Sequence, residues 1–209
     1  MNGHFISFEG PDGAGKTTVL QAMVERYQHR LKDQLTVTRE PGGNPISEAI
    51  RTIILDKNNT EMDARTEALL YAAARRQHLV ETILPALEKN HVVFCDRFVD
   101  SSIAYQGAGR EIGPEEVYEM NLFATEGELP EKTIYLDIPS ELGLKRIMTH
   151  RTEDVDRLDL EQLDFHQRVR SAYLNLAKKF PERIVVIDAS QKLDDVKKDV
   201  IEVLDKILN

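Results

Sequence analysis

Short apolar runs rich in β-branched and aromatic residues punctuate the chain at HFISFE (4–9), LTVTR (35–39), HVVFCD (91–96), KTIYLDI (132–138) and RIVVID (183–188). Brief runs without strict alternation are what strands covered on both faces look like. Between them, apolar positions recur at helical spacing over 16–31, 46–55, 65–88, 114–125, 141–149, 160–179 and 193–207. Strands alternating with helices predict an α/β fold in which one parallel sheet carries helices on both faces. No fixed-period repeat or low-complexity tract interrupts the pattern, and Pro and Gly stand singly at turns, so residues 1–209 are expected to form one domain. The stretch THRTEDVDRLD is different: it is densely charged, with only Val155 and Leu158 as apolar anchors. It predicts a solvated flap, a lid segment at about 146–159.

Composition narrows the setting. With 41% hydrophobic residues in 209, the chain can bury a core without covalent staples. Its one cysteine, Cys95, sits inside an apolar strand, which excludes a disulfide framework and suits a reducing compartment. The start MNGHFISFEG has neither the basic head and long apolar stretch of an export signal nor a membrane span, so a cytoplasmic protein is expected. A formal net charge of -9 argues against nucleic acid as a partner, because such binding needs a broad basic field. Any anionic ligand must therefore be met by a local cluster of cations.

Such a cluster is legible. Gly10, Pro11, Asp12, Gly13, Ala14, Gly15, Lys16 and Thr17 spell GPDGAGKT, a match to G-x-x-x-x-G-K-[ST] placed after a predicted strand and at the start of a predicted helix. The glycines let successive backbone N–H groups turn inward around phosphate oxygens, and the helix that follows adds its positive end. Lys16 then reaches the β- and γ-phosphates, and the Thr17 hydroxyl is placed to ligate Mg²⁺. The run VVFCD ends in Asp96, where a carboxylate can hold the same ion through its water shell.

Further arginines lie where an ATPase alone would have no use for them. Arg39 and Arg97 follow predicted strands, at the carboxyl edge of the sheet where ligands bind in this architecture, and Arg51, Arg75 and Arg76 lie on predicted helices. Two guanidinium groups at that edge can clamp a second phosphate. Tyr71 and Arg75 share a helix face and pair an aromatic platform with a forked donor. Ser102, Tyr105 and Gln106 group a hydroxyl, a phenol and an amide on one side of a short helix, a set able to read the edge of a pyrimidine.

The segments FEGPDGAGKTT, TREPGG, RTEALLYAAARRQH, CDRFVDSS, AYQG and the late DAS together resemble the thymidylate kinase family in its bacterial form, over nearly the whole chain. The resemblance implies a three-layer α/β/α P-loop kinase fold with a five-stranded parallel sheet, a homodimer, and the substrates ATP and dTMP with Mg²⁺ as cofactor. It implies that Asp12 approaches the sugar 3′-hydroxyl and the magnesium shell, and that Arg39, Arg51 and Arg97 meet the acceptor phosphate. It places Tyr71 against thymine, where many relatives carry Phe, with Arg75, Ser102 and Gln106 hydrogen-bonded to the base and Tyr105 against the sugar. Thr18 completes the ATP-binding loop. Because that loop contains no arginine, the charge that stabilises the moving phosphoryl group must come from the lid; Arg151 is the favoured residue, with Arg146 beside the adenine and Arg157 as a further candidate.

The acceptor oxygens of a phosphate monoester are largely unprotonated at neutral pH, so no general base is required and none of the six histidines need be catalytic. Two rival readings are a kinase for another nucleoside monophosphate and a nucleotide-dependent switch. The second lacks the N/T-K-x-D guanine motif at any predicted strand end.

Overall fold

The structure, a computed structural model, describes residues 3–150 and 161–208. Five strands, β1 (His4–Glu9), β2 (Leu35–Arg39), β3 (Val92–Asp96), β4 (Lys132–Asp137) and β5 (Ile184–Asp188), form one sheet in the order β2-β3-β1-β4-β5. Every pairing is parallel. The register sets Asp96 opposite both Phe8 and Arg39, and Glu9 opposite Tyr135, which brings the carboxyl ends of β1, β2 and β3 to one edge.

Alternation along each strand divides the core in two. Ile6 and Phe8 of β1, with Phe94 and Leu136, face α1 (Lys16–Leu31) and α9 (Leu193–Leu208) through Val19, Met23, Val200 and Leu204. Phe5, Val93, Cys95 and Tyr135 face the other layer, where α8 (Leu163–Lys179) supplies Phe165, Val169 and Tyr173. Cys95 is fully buried, and burial, with Glu40 and Asp96 adding to it, holds its thiol well above the ordinary value. The remaining helices are α2 (Pro45–Leu55), α3 (Ala64–His78), α4 (Leu84–Glu88), α5 (Val99–Ser102), α6 (Pro114–Thr125) and α7 (Ser140–His150).

Two expectations change. The long central helix is not one α-helix over 65–88: α3 runs into a π-helical turn at Leu79–Ile83 before α4. Pro85 lies at the start of α4; it has no N–H to donate and its ring needs room near the carbonyl four residues back, which a widened turn provides. The short helix expected to carry Ser102, Tyr105 and Gln106 is likewise α5 followed by a second π-helical turn, Ile103–Gly109. Helix ends elsewhere move by a few residues. Asn44 caps α2 by accepting from the Ser47 N–H at 2.9 Å, which starts that helix at Pro45. Among the described residues no helix is long and apolar enough to cross a membrane.

Candidate active site

The loop from Gly10 to Lys16 leaves the end of β1 and enters α1. Gly13 and Gly15 take φ of 79° and 84°, a region that side chains disfavour, and a Cβ on Gly13 would lie 2.3 Å from the Gly143 carbonyl oxygen. Gly15 leaves α1 without a side-chain cap, so the first N–H groups of that helix are directed at whatever occupies the loop. Here lies a cavity of about 580 Å³, lined by the loop from Asp12 through Thr18, by Arg146 and Ile147 of α7, and by Ala189, Gln191 and Leu193. Arg146 donates to the Ala189 carbonyl at 3.0 Å and toward that of Gly13 at 3.4 Å.

A second cavity, of about 310 Å³, adjoins the first and shares Asp12, Lys16 and Thr17 with it. The sequence-predicted acceptor residues Arg39, Arg51, Tyr71, Arg75, Arg97, Ser102, Tyr105 and Gln106 all line it, together with Asp96. Gly10 and Pro11 line neither cavity; the Gly10 carbonyl instead accepts from Arg97 at 3.1 Å. Arg151 and Arg157 lie outside the described residues.

Arg97 is the hub. Its Nη2 donates to Asp12 at 2.8 Å and to the Tyr105 hydroxyl at 3.3 Å, and Tyr105 donates to the other Asp12 oxygen at 3.0 Å. Its backbone sits at φ 67°, a costly conformation for a residue with a side chain. The next N–H, that of Phe98, donates to the Glu9 carboxylate at 2.7 Å, and the Ser101 and Tyr173 hydroxyls donate to its second oxygen at 2.6 and 2.8 Å. Burial, reinforced by Asp100, pushes the Glu9 carboxyl up to about 7. The Lys16 ammonium is pushed below its ordinary value by burial and then by Arg97, while Asp12, 3.9 Å away, and Asp96 pull the other way. A phosphate delivered to Lys16 would favour the charged form that burial opposes.

Two residues stand differently from expectation. Arg39 lines the cavity but is held bidentate by Glu48, at 2.7 and 3.2 Å, so it must share or exchange that partner to meet a phosphate. Arg75, expected to read the base, is itself almost fully buried: Nε donates to Glu40 at 2.8 Å, Nη1 to Ser102 at 3.0 Å and to Asn121, and Nη2 to the Phe98 carbonyl at 3.0 Å. Those bonds occupy four of the five N–H donors of a guanidinium. Arg51 donates to the Pro41 carbonyl at 3.0 Å.

A cation of the magnesium kind fits the second cavity where it meets the shared residues Lys16 and Thr17. Asp96 Oδ1 is buried and has no hydrogen-bond partner among the described residues, and Asp96 lines the same cavity as Lys16 and Thr17. An orphaned carboxylate oxygen of that kind is satisfied by a metal or its water shell. Among the described residues no three His, Cys, Asp or Glu side chains converge on a metal. Such an ion would then be bound largely through phosphate oxygens.

A family profile described as Thymidylate kinase matches residues 8–200. The chain belongs to the thymidylate kinase family. It is similar to the thymidylate kinase of Pediococcus pentosaceus, 92% identical over 209 residues that cover all of both chains, and to that of Levilactobacillus brevis, 64% identical with 94% of this chain and 92% of the relative covered. The crystal structure of thymidylate kinase from Ehrlichia chaffeensis superposes with a TM-score of 0.79 at 32% identity, covering 98% of this chain and 99% of the other. The α/β/α layering and five-stranded parallel sheet are therefore those of the thymidylate kinase P-loop fold.

Sequence reasoning missed the buried carboxylates behind this family's pocket: Glu9 behind Arg97, Glu40 behind Arg75 and Glu67 behind Gln106. Glu9 carried a usable signal, as the one acid closing an apolar strand directly before the glycine loop. Glu67 lay in an ordinary helix pattern, with nothing to mark it as buried.

Proposed function

We propose that this chain transfers the γ-phosphoryl group of ATP to dTMP, giving dTDP and ADP. The observation that carries the reading is the pair of adjoining cavities whose common wall is Asp12, Lys16 and Thr17, with phosphate-binding backbone on one side and arginines on the other. Two anions held across one lysine are set up for in-line transfer, which needs positioning and charge neutralisation more than a base. Lys16 would bridge the β- and γ-phosphates, and Arg97 would hold the acceptor phosphate, supported by Arg39 and Arg51. Mg²⁺, when bound by Thr17 and through water by Asp96, supplies neutralisation of the triphosphate charge. Asp12, fixed by Arg97 and Tyr105, would accept from the sugar 3′-hydroxyl. Tyr71 would stack on thymine, and Arg146 would lie beside the adenine. We assign the stabilising charge on the moving phosphoryl group to Arg151, on the strength of the resemblance alone.

The exposed apolar residues favour a homodimer. Ile46 and Ile53 on α2, Leu69 on α3 and Phe123 on α6 are 54%, 49%, 59% and 88% exposed on helices that pack side by side, an apolar face suited to a second copy. We read the protein as one cytoplasmic domain.

The function is tested by Lys16→Ala, followed through ADP release with dTMP as acceptor. Turnover is expected to fall below detection while thermal stability is retained. Turnover near that of the parent chain would overturn the assignment.

A further inference from the structure

We infer that Glu67, a residue outside the acceptor cavity, sets which base is accepted by fixing the orientation of the Gln106 amide. The inference rests on reading that cavity as the thymine pocket. Glu67, Tyr71 and Arg75 follow one another at four-residue spacing on α3 and so form a single ridge along the helix. Tyr71 and Arg75 line the cavity; Glu67 does not, and it is fully buried.

Gln106, itself almost fully buried, donates from Nε2 to Glu67 Oε1 at 2.9 Å. An ionised carboxylate has no proton to give, so the amide can turn only its NH₂ toward Glu67. The Arg110 guanidinium, 3.4 Å from Glu67 through Nε and through Nη2, supplies the counter-charge. No described residue donates to Gln106 Oε1, and Gln106 lines the cavity, so the amide presents that oxygen to a bound base as an acceptor. Across the pocket Arg75 is a donor that cannot become anything else. The chain thus offers an acceptor and a donor to one edge of the base. Thymine and uracil match, with N3–H beside the O4 carbonyl. Cytosine presents the reverse, an unprotonated N3 beside an amino group, and mispairs at both points.

A free glutamine could rotate by 180° about its last torsion and accommodate cytosine at N3; tethered to Glu67 it cannot do so without losing a buried bond. Glu67 therefore acts as a positioning residue, and its signature is discrimination rather than rate.

The test compares kcat/KM for dTMP and dCMP in the full-length protein, by ADP release, across three variants checked by thermal melting. In Glu67→Gln the neutral amide can face Gln106 in either sense. The dTMP/dCMP ratio is expected to fall by about tenfold or more, through a higher KM for dTMP with kcat retained, Arg75 still opposing the cytosine amino group. An equal loss for both substrates, leaving the ratio unchanged, would mean a structural role only and would overturn the inference. The exchange Glu67→Gln with Gln106→Glu restores one donor facing one acceptor and should recover the ratio. If the single variant fails to fold, this exchange decides the matter alone, a ratio near one counting against the inference. Gln106→Met separates the two levels of the argument. An unchanged ratio there removes the thymine-pocket reading itself, whereas a collapsed ratio combined with an indifferent Glu67→Gln removes only the role of Glu67.

Discussion

Arg97 holds a left-handed backbone at a position where glycine would be the undemanding choice, and conformations of that kind cost of order 1–3 kcal/mol. The cost is met by Glu9, whose carboxylate takes the Phe98 N–H together with the Ser101 and Tyr173 hydroxyls. Glu9 also faces the Asp100 carboxylate, itself bound bidentate by Arg183, and the Arg97 charge. Because the folded chain raises the Glu9 carboxyl from the ordinary 4.5 to about 7, it binds a proton there more readily than the unfolded chain does. Stability from this group is thus greatest below about 4.5 and is lost as pH rises through about 7. Urea melts of Glu9→Gln should accordingly show a flatter pH dependence than the parent between those limits, the difference being on the order of 3 kcal/mol. Superimposable pH profiles would show that Glu9 does not titrate in that window.

At the scale of elements, the central helical run shows what periodicity reveals and what it hides. Its start was legible from composition only loosely, yet the cause is local: Asp63 accepts from the Arg65 and Thr66 N–H groups at 3.0 and 3.1 Å and so begins α3. Asp63→Ala is expected to cost about 1 kcal/mol and lower the melting temperature by about 2–4 °C, with catalysis unaltered; an unchanged melting curve would assign the start of α3 to its packing instead. The five strands were readable from their short β-branched and aromatic runs: β1, β3 and β4 are almost wholly buried, whereas the edge strands β2 and β5 leave Val37 and Val186 partly open. The glycine loop was readable because phosphate-binding backbone leaves few alternatives to Gly13 and Gly15. The π-helical turns were not, since Pro85 signals that a helix is disturbed but not how it relaxes. Of the arginines that line the pocket, Arg39 and Arg97 were found from their places after strands. The acids that restrain them were not, because burial of a glutamate depends on elements far away in sequence, as with Arg75 and Glu40 across 35 positions.

Over the whole molecule, α2, α3 and α6 leave apolar side chains in the open, with Phe123 the most exposed. Placing a charge on that face at Phe123 should separate subunits without harming the fold, because a side chain 88% exposed contributes little to the protomer core. Phe123→Asp is expected to sediment as a monomer where the parent sediments as a dimer, with an unchanged circular dichroism spectrum. A parent that already sediments as a monomer would remove the dimer proposal.

The solitary thiol of Cys95 projects from β3 into the core beside α8, fully buried, and its environment disfavours the reactive thiolate. The native chain is therefore expected to react slowly with maleimide dyes, so that labelling of the parent follows opening of the fold. A cysteine introduced at an outward-facing position is then expected to take up a fluorophore ahead of Cys95, so the surroundings of that one site at the nucleotide cleft can be followed during turnover.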